Sequence, residues 1–459
     1  MAYSLLMWVS GGWSAFMTPN TTEIGPILKI ALICLSPAMD GGEMPLPMPS
    51  YGIHRIHAAA LSAPSPVPRE VRVFDLGHSN FAELSAAVSE FGPDLIGMSV
   101  YVWSTPGLLN LAVDLRGKLQ NVTILFGGPS ARTELFDLPS YATRAMAVDA
   151  LCVGDGEAVI QDIIALDTIT RAGLATIGGL ALHLPEGGWL RTAPARQIPM
   201  GAIPSPYTMG LMPAGAVAYL ETYRGCPLNC RFCEWGLTQS ARDVFDADYI
   251  AHEIAAFRRL EAPAVFLLDA GLNLNSRAFR NLAQAHAVDG FLSESLFWAE
   301  IYPTVIKDEH LEFLRDVGAA YLGVGLQSMD DAVLRAHDRP FDMTRFGSAV
   351  ERLSQVAQLE VQIIMGLPGD TPEGFRRTLK FAMSLPVGSV RAYHCLVLPD
   401  ALLTRARPEW AIEFEPDTLA MVANRDWSAS AITAMRHELT DQAHRAGGSA
   451  GAYWWLFRR

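Results

Sequence analysis

Cysteine is scarce in this sequence. Six occur in 459 residues, at positions 34, 152, 226, 230, 233 and 395. That is too sparse for a disulfide scaffold. Basic residues are also in short supply: 35 Lys and Arg stand against 48 Asp and Glu, a formal charge of −13. Every phosphate contact calls for a Lys or Arg, so this balance argues against nucleic-acid binding. Long apolar runs are missing too. The first 20 residues carry no charge, but Ser10-Gly11-Gly12 interrupts them and Pro19 follows. A membrane span needs about 20 apolar residues. A secretory signal needs an early positive region, and the first basic residue is Lys29. We expect residues 1–27 to form an extension packed on the protein body or a partner subunit, with no membrane span. Reduced cysteines suit a cytoplasmic location.

What is present is core-forming. The chain is 50% hydrophobic and 18% charged, and its length allows two or three domains. From Ile27, short apolar runs alternate with helix-like segments. The runs are Ile30–Leu35, Val71–Asp75, Asp94–Val102, Val122–Phe126 and Ala150–Val153, with a helix-like stretch at Tyr51–Leu61. This alternation predicts an α/β fold opening with a doubly wound, Rossmann-like parallel sheet over residues 28–170. Such sheets hold ligands beyond the carboxyl ends of their strands, where the glycine-rich stops lie here. Residues 171–215 are rich in Gly, Pro and Ala and read as a linker with two hairpin-like pieces.

A second series occupies 216–400, with strands expected at Val217–Thr222, Ala264–Leu268, Leu296–Ile301, Tyr321–Leu326, Val361–Met365 and Ser389–Val397. Six β/α units predict a partial (β/α)6 TIM-type barrel with its site at the carboxyl strand ends. Residues 401–459 are a short C-terminal extension. Trp454 and Trp455 would face opposite sides of a strand there.

Three of the six cysteines fall within residues 221–236, ETYRGCPLNCRFCEWG. The spacing is Cys226-x3-Cys230-x2-Cys233, just after the first barrel strand. Structural zinc prefers four ligands in paired Cys-x2-Cys units, and no histidine is near. Buried thiols or a zinc knuckle are the bland readings. Three thiolates on a four-iron cubane leave one iron open.

This motif resembles the radical S-adenosylmethionine (SAM) superfamily, including Phe232, which the resemblance places against the adenine. It implies a [4Fe-4S] cluster on Cys226, Cys230 and Cys233 and SAM on the open iron, yielding a 5′-deoxyadenosyl radical after one-electron reduction. The resemblance continues along the barrel. It covers Leu267-Leu268-Asp269, Ala299-Glu300-Ile301, Gly323-Val324-Gly325-Leu326-Gln327-Ser328 and Ile364-Met365-Gly366-Leu367-Pro368-Gly369. It implies SAM contacts from Asp269, Glu300, Gln327, Ser328 and Gly366.

A doubly wound domain ahead of such a barrel resembles the cobalamin-binding radical SAM enzymes. The matching pieces are Gly97–Trp103, Phe126–Pro129 and Val153–Glu157. They imply that 28–170 is a cobalamin-binding domain contacted through Ser99, Tyr101, Trp103, Gly127, Gly128, Gly154, Gly156 and Glu157. A flavodoxin-like domain with another nucleotide, or no ligand, is the alternative. The Asp-x-His-x-x-Gly motif of histidine-ligated cobalamin is missing: the loop after the first strand reads Ser36-Pro37-Ala38-Met39-Asp40-Gly41-Gly42. His78 stands in the wrong context, and His54 and His57 read as surface or packing residues. We therefore expect base-off cobalamin without a histidine on cobalt, its lower face met by Trp103 or the 37–48 loop.

The implied activity is methylation of an unactivated carbon in a small molecule, a natural-product or lipid intermediate. An external one-electron donor such as flavodoxin or ferredoxin would serve it. The alternative is a non-methylating enzyme of the same subgroup that forms C–S bonds, cyclises or rearranges. Methylthiolation would require three further cluster cysteines before residue 226, and only Cys34 and Cys152 are there. A non-catalytic cobalamin or iron–sulfur sensor is the other class. Cys34, Cys152 and Cys395 read as packed thiols. Tyr302 and His394 are minor candidates for substrate contact or proton relay.

Overall fold

The computed structural model describes residues 27–35, 47–76, 80–235 and 243–459. The N-terminal extension, the Ser36–Gly42 loop and His78 therefore lie outside the described residues, apart from Ile27.

The first sheet is built from β1 (Leu28–Leu35), β2 (Arg69–Leu76), β3 (Leu95–Ser99), β4 (Thr123–Gly127), β5 (Ala150–Cys152), β6 (Leu180–His183) and β7 (Trp189–Arg191). Its order is β2-β1-β3-β4-β5-β6-β7. The first five strands are parallel, and β6 and β7 join antiparallel. β1 is an unbroken apolar run because both its faces are covered, as in a helix-flanked parallel sheet. Ile30 through Cys34 are at most 1% exposed. The strand order reverses between β1 and β3, which opens a crevice at their carboxyl ends. The β6–β7 hairpin lies in the segment read as a linker. It extends the sheet past residue 170 by pairing on the edge of β5.

The helix Tyr51–Ser62 packs against the helix Gly156–Ile164. A Cβ on Gly156 would stand 2.7 Å from Ile56 Cδ1, so glycine permits that close approach.

The second sheet contains β8 (Ala218–Leu220), β9 (Ala264–Leu267), β10 (Leu296–Ile301), β11 (Ala319–Gln327), β12 (Gln358–Met365) and β13 (Ser389–His394). These six are parallel and pair in sequence order. Helices lie between successive strands, including Ala247–Arg259, Ser276–Asp289 and Pro372–Ser384. In the C-terminal residues, β14 (Glu413–Phe414) and β15 (Met421–Ala423) form a small ribbon. β16 (Ser449–Ala450) and β17 (Trp454–Arg458) complete the second sheet. β17 runs antiparallel on β13, so the chain end covers that strand's edge. Trp455 is 1% exposed and Trp454 is half-buried, the alternation a strand imposes. Among the described residues, no helix is long and apolar enough to cross a membrane.

Candidate functional site

The cysteine loop leaves the carboxyl end of β8. Cys230 is buried and Cys226 and Cys233 are half-buried. The Leu228 N–H points to Cys226 Sγ at 3.4 Å and the Trp235 N–H to Cys233 Sγ at 3.5 Å. Arg339 Nη1 lies 3.8 Å from Cys230 Sγ. Burial pushes the Cys226 thiol up and raises Cys233 to about 11. A bound cation is what turns such thiols into thiolates. Among the described residues, no three His, Cys, Asp or Glu side chains converge tightly enough to share one metal ion. Three cysteine thiols are one short of the closed four-ligand set of structural zinc, and they match a four-iron cluster that keeps one iron open.

The strand ends around this loop are shaped by a few polar groups. Asp269, past β9, is 4% exposed. It accepts from Thr222 N at 2.8 Å, from Tyr223 N at 3.3 Å and from the Thr222 hydroxyl. It therefore fixes the start of the cysteine loop, and burial raises its carboxyl to about 7. Glu300 on β10 sits over Gly323 on β11. A Cβ there would meet Glu300 Oε1 at 2.2 Å, so the glycine makes room for the carboxylate. Burial raises the Glu300 pKa, and Gln362 Nε2 donates to it at 3.0 Å.

Gln327 ends β11 with φ 68°, beside a register shift between Gly325 and Gln327. Ser328 Oγ donates to Asp370 Oδ2 at 3.1 Å and accepts from Asp330 N. Gly366 has φ 86° at the end of β12, and its carbonyl accepts from Asn424 Nδ2 at 3.0 Å. Phe232 packs into an apolar cluster with Leu367, Cys395, Trp410 and Met421.

The expected N-terminal site residues lie at the carboxyl edge of the first sheet. Ser99 ends β3 and is buried. Tyr101 and Trp103 stack at 4.7 Å, with Trp103 53% exposed. Gly127 ends β4. Gly128, at φ 97°, approaches so closely that a Cβ would be 2.8 Å from Val100 O and 3.2 Å from Ser99 Oγ. Gly154, at φ 104°, has open space where its Cβ would be. It lines a cavity of about 570 Å3 with Asp155, Glu157, Gly179 and Arg224. That open space beyond β5 fits a ligand-holding edge. Ser99, Tyr101, Trp103, Gly127 and Gly128 are not among the cavity's lining residues.

The two edges meet through buried charges. Arg224, two residues before Cys226, binds Glu157 at 2.6 Å, Asp155 at 3.0 Å and Glu221 at 3.0 Å. Burial works to raise Glu157, but Arg224 outweighs it and holds the carboxyl below its ordinary value. Arg55, 3% exposed, donates to Pro204 O and to Glu221, and stacks over Tyr51 and Phe245. Arg132, after β4, binds Asp400, after β13.

Sequence reasoning did not single out Arg55, Arg132, Arg224, Arg339 or Arg405. Arg224 stands inside the quoted cysteine segment, so its charge beside the cysteine loop was the available signal. Arg405 reaches the Cys233 carbonyl from 172 residues away, which no local pattern reveals.

Several residues are committed elsewhere. His394 takes a hydrogen bond from Arg436 at Nδ1 (2.8 Å), which leaves Nε2 to donate to the Met421 carbonyl (2.8 Å). Burial lowers its pKa to about 4. The Tyr302 hydroxyl donates to the Pro340 carbonyl. Cys34, Cys152 and Cys395 are buried. His54 and His57 are half-buried on the Tyr51–Ser62 helix, with His54 3.5 Å from Asp75.

Residues 220–382 match the radical SAM superfamily. A curated relative from Streptantibioticus cattleyicolor is a 2-(S-pantetheinyl)-carbapenam-3-carboxylate methyltransferase. It is 28% identical over 345 residues, 70% of this chain and 49% of its own length. The cobalamin-dependent radical SAM methyltransferase TokK of Streptomyces tokunonensis is 27% identical, over 68% of this chain and 48% of its own. The chain spans about half the length of these relatives. Among solved structures, the methyltransferase TsrM of Kitasatospora setae, with cobalamin and a [4Fe-4S] cluster bound, has a TM-score of 0.64. That match covers 86% of this chain and 85% of TsrM at 15% identity, a likeness of fold.

Proposed function

We propose that this chain, which carries a radical SAM domain over residues 220–382, is a cobalamin-dependent radical SAM methyltransferase. Its substrate is an unactivated carbon of a small molecule. The observation that carries the reading is the three-cysteine loop at the end of β8, tied by Arg224 to the Gly154–Glu157 turn of the first sheet. The relatives named as methyltransferases support it.

When bound, the cluster and SAM supply one-electron hydrogen abstraction, and cobalamin supplies the methyl carrier. Cys226, Cys230 and Cys233 hold the cluster. Arg339 places a cation beside Cys230, and Asp269 fixes the backbone from which the loop departs. Phe232, with Leu367 and Trp410, gives the loop an apolar flank that excludes water. Glu300, Gln327, Ser328 and Gly366 belong to the SAM side. Ser99, Tyr101, Trp103, Gly127, Gly128, Gly154, Gly156 and Glu157 belong to the cobalamin side. Cobalamin held there would be base-off with no histidine from this chain on cobalt, and an external flavodoxin or ferredoxin would deliver the electron. In this reading residues 28–170 hold cobalamin, 216–400 form the partial barrel, and the protein works in the cytoplasm.

The test is anaerobic. With SAM, cobalamin, reductant and substrate, the protein should release both 5′-deoxyadenosine and S-adenosylhomocysteine. Release of 5′-deoxyadenosine alone contradicts methylation. Nitrogen superhyperfine splitting in the electron paramagnetic resonance of the cob(II)alamin form contradicts the histidine-free lower face.

A further inference from the structure

The cysteine loop lacks regular backbone pairing for several of its carbonyls, and buried carbonyls need partners. The Cys230 carbonyl accepts from Cys233 N at 3.1 Å inside the loop. Arg231 N donates to the His337 carbonyl at 3.0 Å, and further support comes from the segment after β13. Arg405 Nη2 donates to the carbonyls of Cys230 (2.8 Å) and Cys233 (2.7 Å). Its Nη1 donates to Asn229 O (3.3 Å) and Asn229 Oδ1 (3.0 Å), and its Nε to Asp400 O (2.9 Å). A guanidinium has five N–H donors in a fixed fork, and these five contacts use them all. Arg231 returns a bond from the loop to the Arg405 carbonyl at 3.0 Å.

The same turn is hooked to the first sheet. The Asp400 carboxylate takes Arg132 Nε, and the two side chains are 21% and 11% exposed. The Asp400 N–H donates to Glu234 Oε1 at 3.2 Å, next to Cys233. Arg132 is anchored in turn on the Ala131 carbonyl at 3.1 Å.

We propose that residues 400–405 are a clasp that sets where the cysteine loop stands against the carboxyl end of β4. Arg405 is the positioning residue of that clasp. Arg405 grips the backbone of two of the three cluster cysteines, and Asp400 fixes the gripping segment to Arg132. The cysteine loop is thereby positioned by chain far from its own strand, and the two sheets share one reference point. The inference rests on the cluster reading only for its second readout.

The first readout is amide hydrogen exchange of residues 226–235 in the full chain, without cofactors. R405Q should speed that exchange about tenfold or more, because it removes several charge-assisted bonds, while β8–β13 keep their protection. R405K should fall between, since lysine keeps the charge without the fork. Arg132 makes its hydrogen bonds to Asp400 and to its own turn and reaches the loop only through its charge on Glu234, so R132Q should speed loop exchange by a smaller factor. After anaerobic reconstitution, the reduced-cluster paramagnetic resonance signal should broaden in R405Q. Unchanged loop exchange in R405Q overturns the proposal. Unchanged exchange in R132Q overturns the clasp and leaves Arg405 a local brace. Should R405Q lose protection throughout the sheets, R405K and R132Q decide. Exchange needs neither iron nor SAM, so its failure is separate from a failure to cleave SAM.

Discussion

Arg224 and Glu157 meet at 2.6 Å across the junction of the two sheets, with side chains 11% and 6% exposed. The pair joins the turn after β5 to the residue two places before Cys226. Removing Arg224 leaves the buried Glu157 without its ion-pair partner, which costs about 3–5 kcal/mol, whereas removing Glu157 leaves Arg224 on Asp155 and Glu221 and costs less. R224Q and E157Q should therefore both lower the denaturant midpoint of the full chain. Glu157 is held below its ordinary carboxyl value, so its contribution is present above that value and disappears as pH falls through the lower folded one. E157Q should flatten the acid limb of the stability profile, and an unchanged limb would count against the pairing.

The three cysteines divide from the other three. C226A, C230A and C233A should each fail to retain cluster iron after anaerobic reconstitution while melting near the parent temperature. C34A and C395A should retain full iron, because those thiols are packed in the cores. Iron analysis beside a thermal melt checks both halves.

Gly323 is a space requirement. A methyl group there would stand 2.2 Å from Glu300 Oε1. G323A should displace the carboxylate and destabilise the chain by about 1–3 kcal/mol, the usual cost of overpacking. The G323A/E300A pair should be more stable than the sum of its single effects, since the clash goes with the carboxylate. A double-mutant cycle in denaturant reads this directly.

Asp269 predicts a pH dependence of opposite sign to Glu157. Burial raises it from 3.8 to about 7. The folded state then holds the proton more tightly than the unfolded chain, so stability falls as pH climbs from about 4 to about 7. D269N should flatten that fall. It also removes one of two acceptors for Thr222 and Tyr223, so the variant should be less stable at acidic pH.

Where the sequence spoke clearly, the signal was local. β1 and β3 were legible because strands buried on both faces must be continuously apolar. The proposed cluster loop was legible because its three cysteines lie within eight residues. The β6–β7 hairpin read as linker because an edge hairpin tolerates polar residues such as Arg191 and Glu186. The charged junction stayed hidden for a different reason. Arg224 and Glu157 are 67 residues apart, and Arg405 is 172 from Cys233. Long-range ion pairs leave no periodicity. His394 illustrates the converse: its place at a strand end suggested chemistry, but Arg436 and the Met421 carbonyl occupy both ring nitrogens.

The central claim is methyl transfer to a small molecule, and isotope labelling tests it most directly. The full chain, reconstituted anaerobically with iron, sulfide and cobalamin, would be reduced with SAM carrying a deuterated methyl group. A small-molecule extract of the producing cells would supply the substrate. One compound should gain a CD3 group in place of a single hydrogen, dependent on cobalamin and lost in C230A. Cleavage of SAM to 5′-deoxyadenosine with a product of unchanged carbon count and no label would contradict methyl transfer.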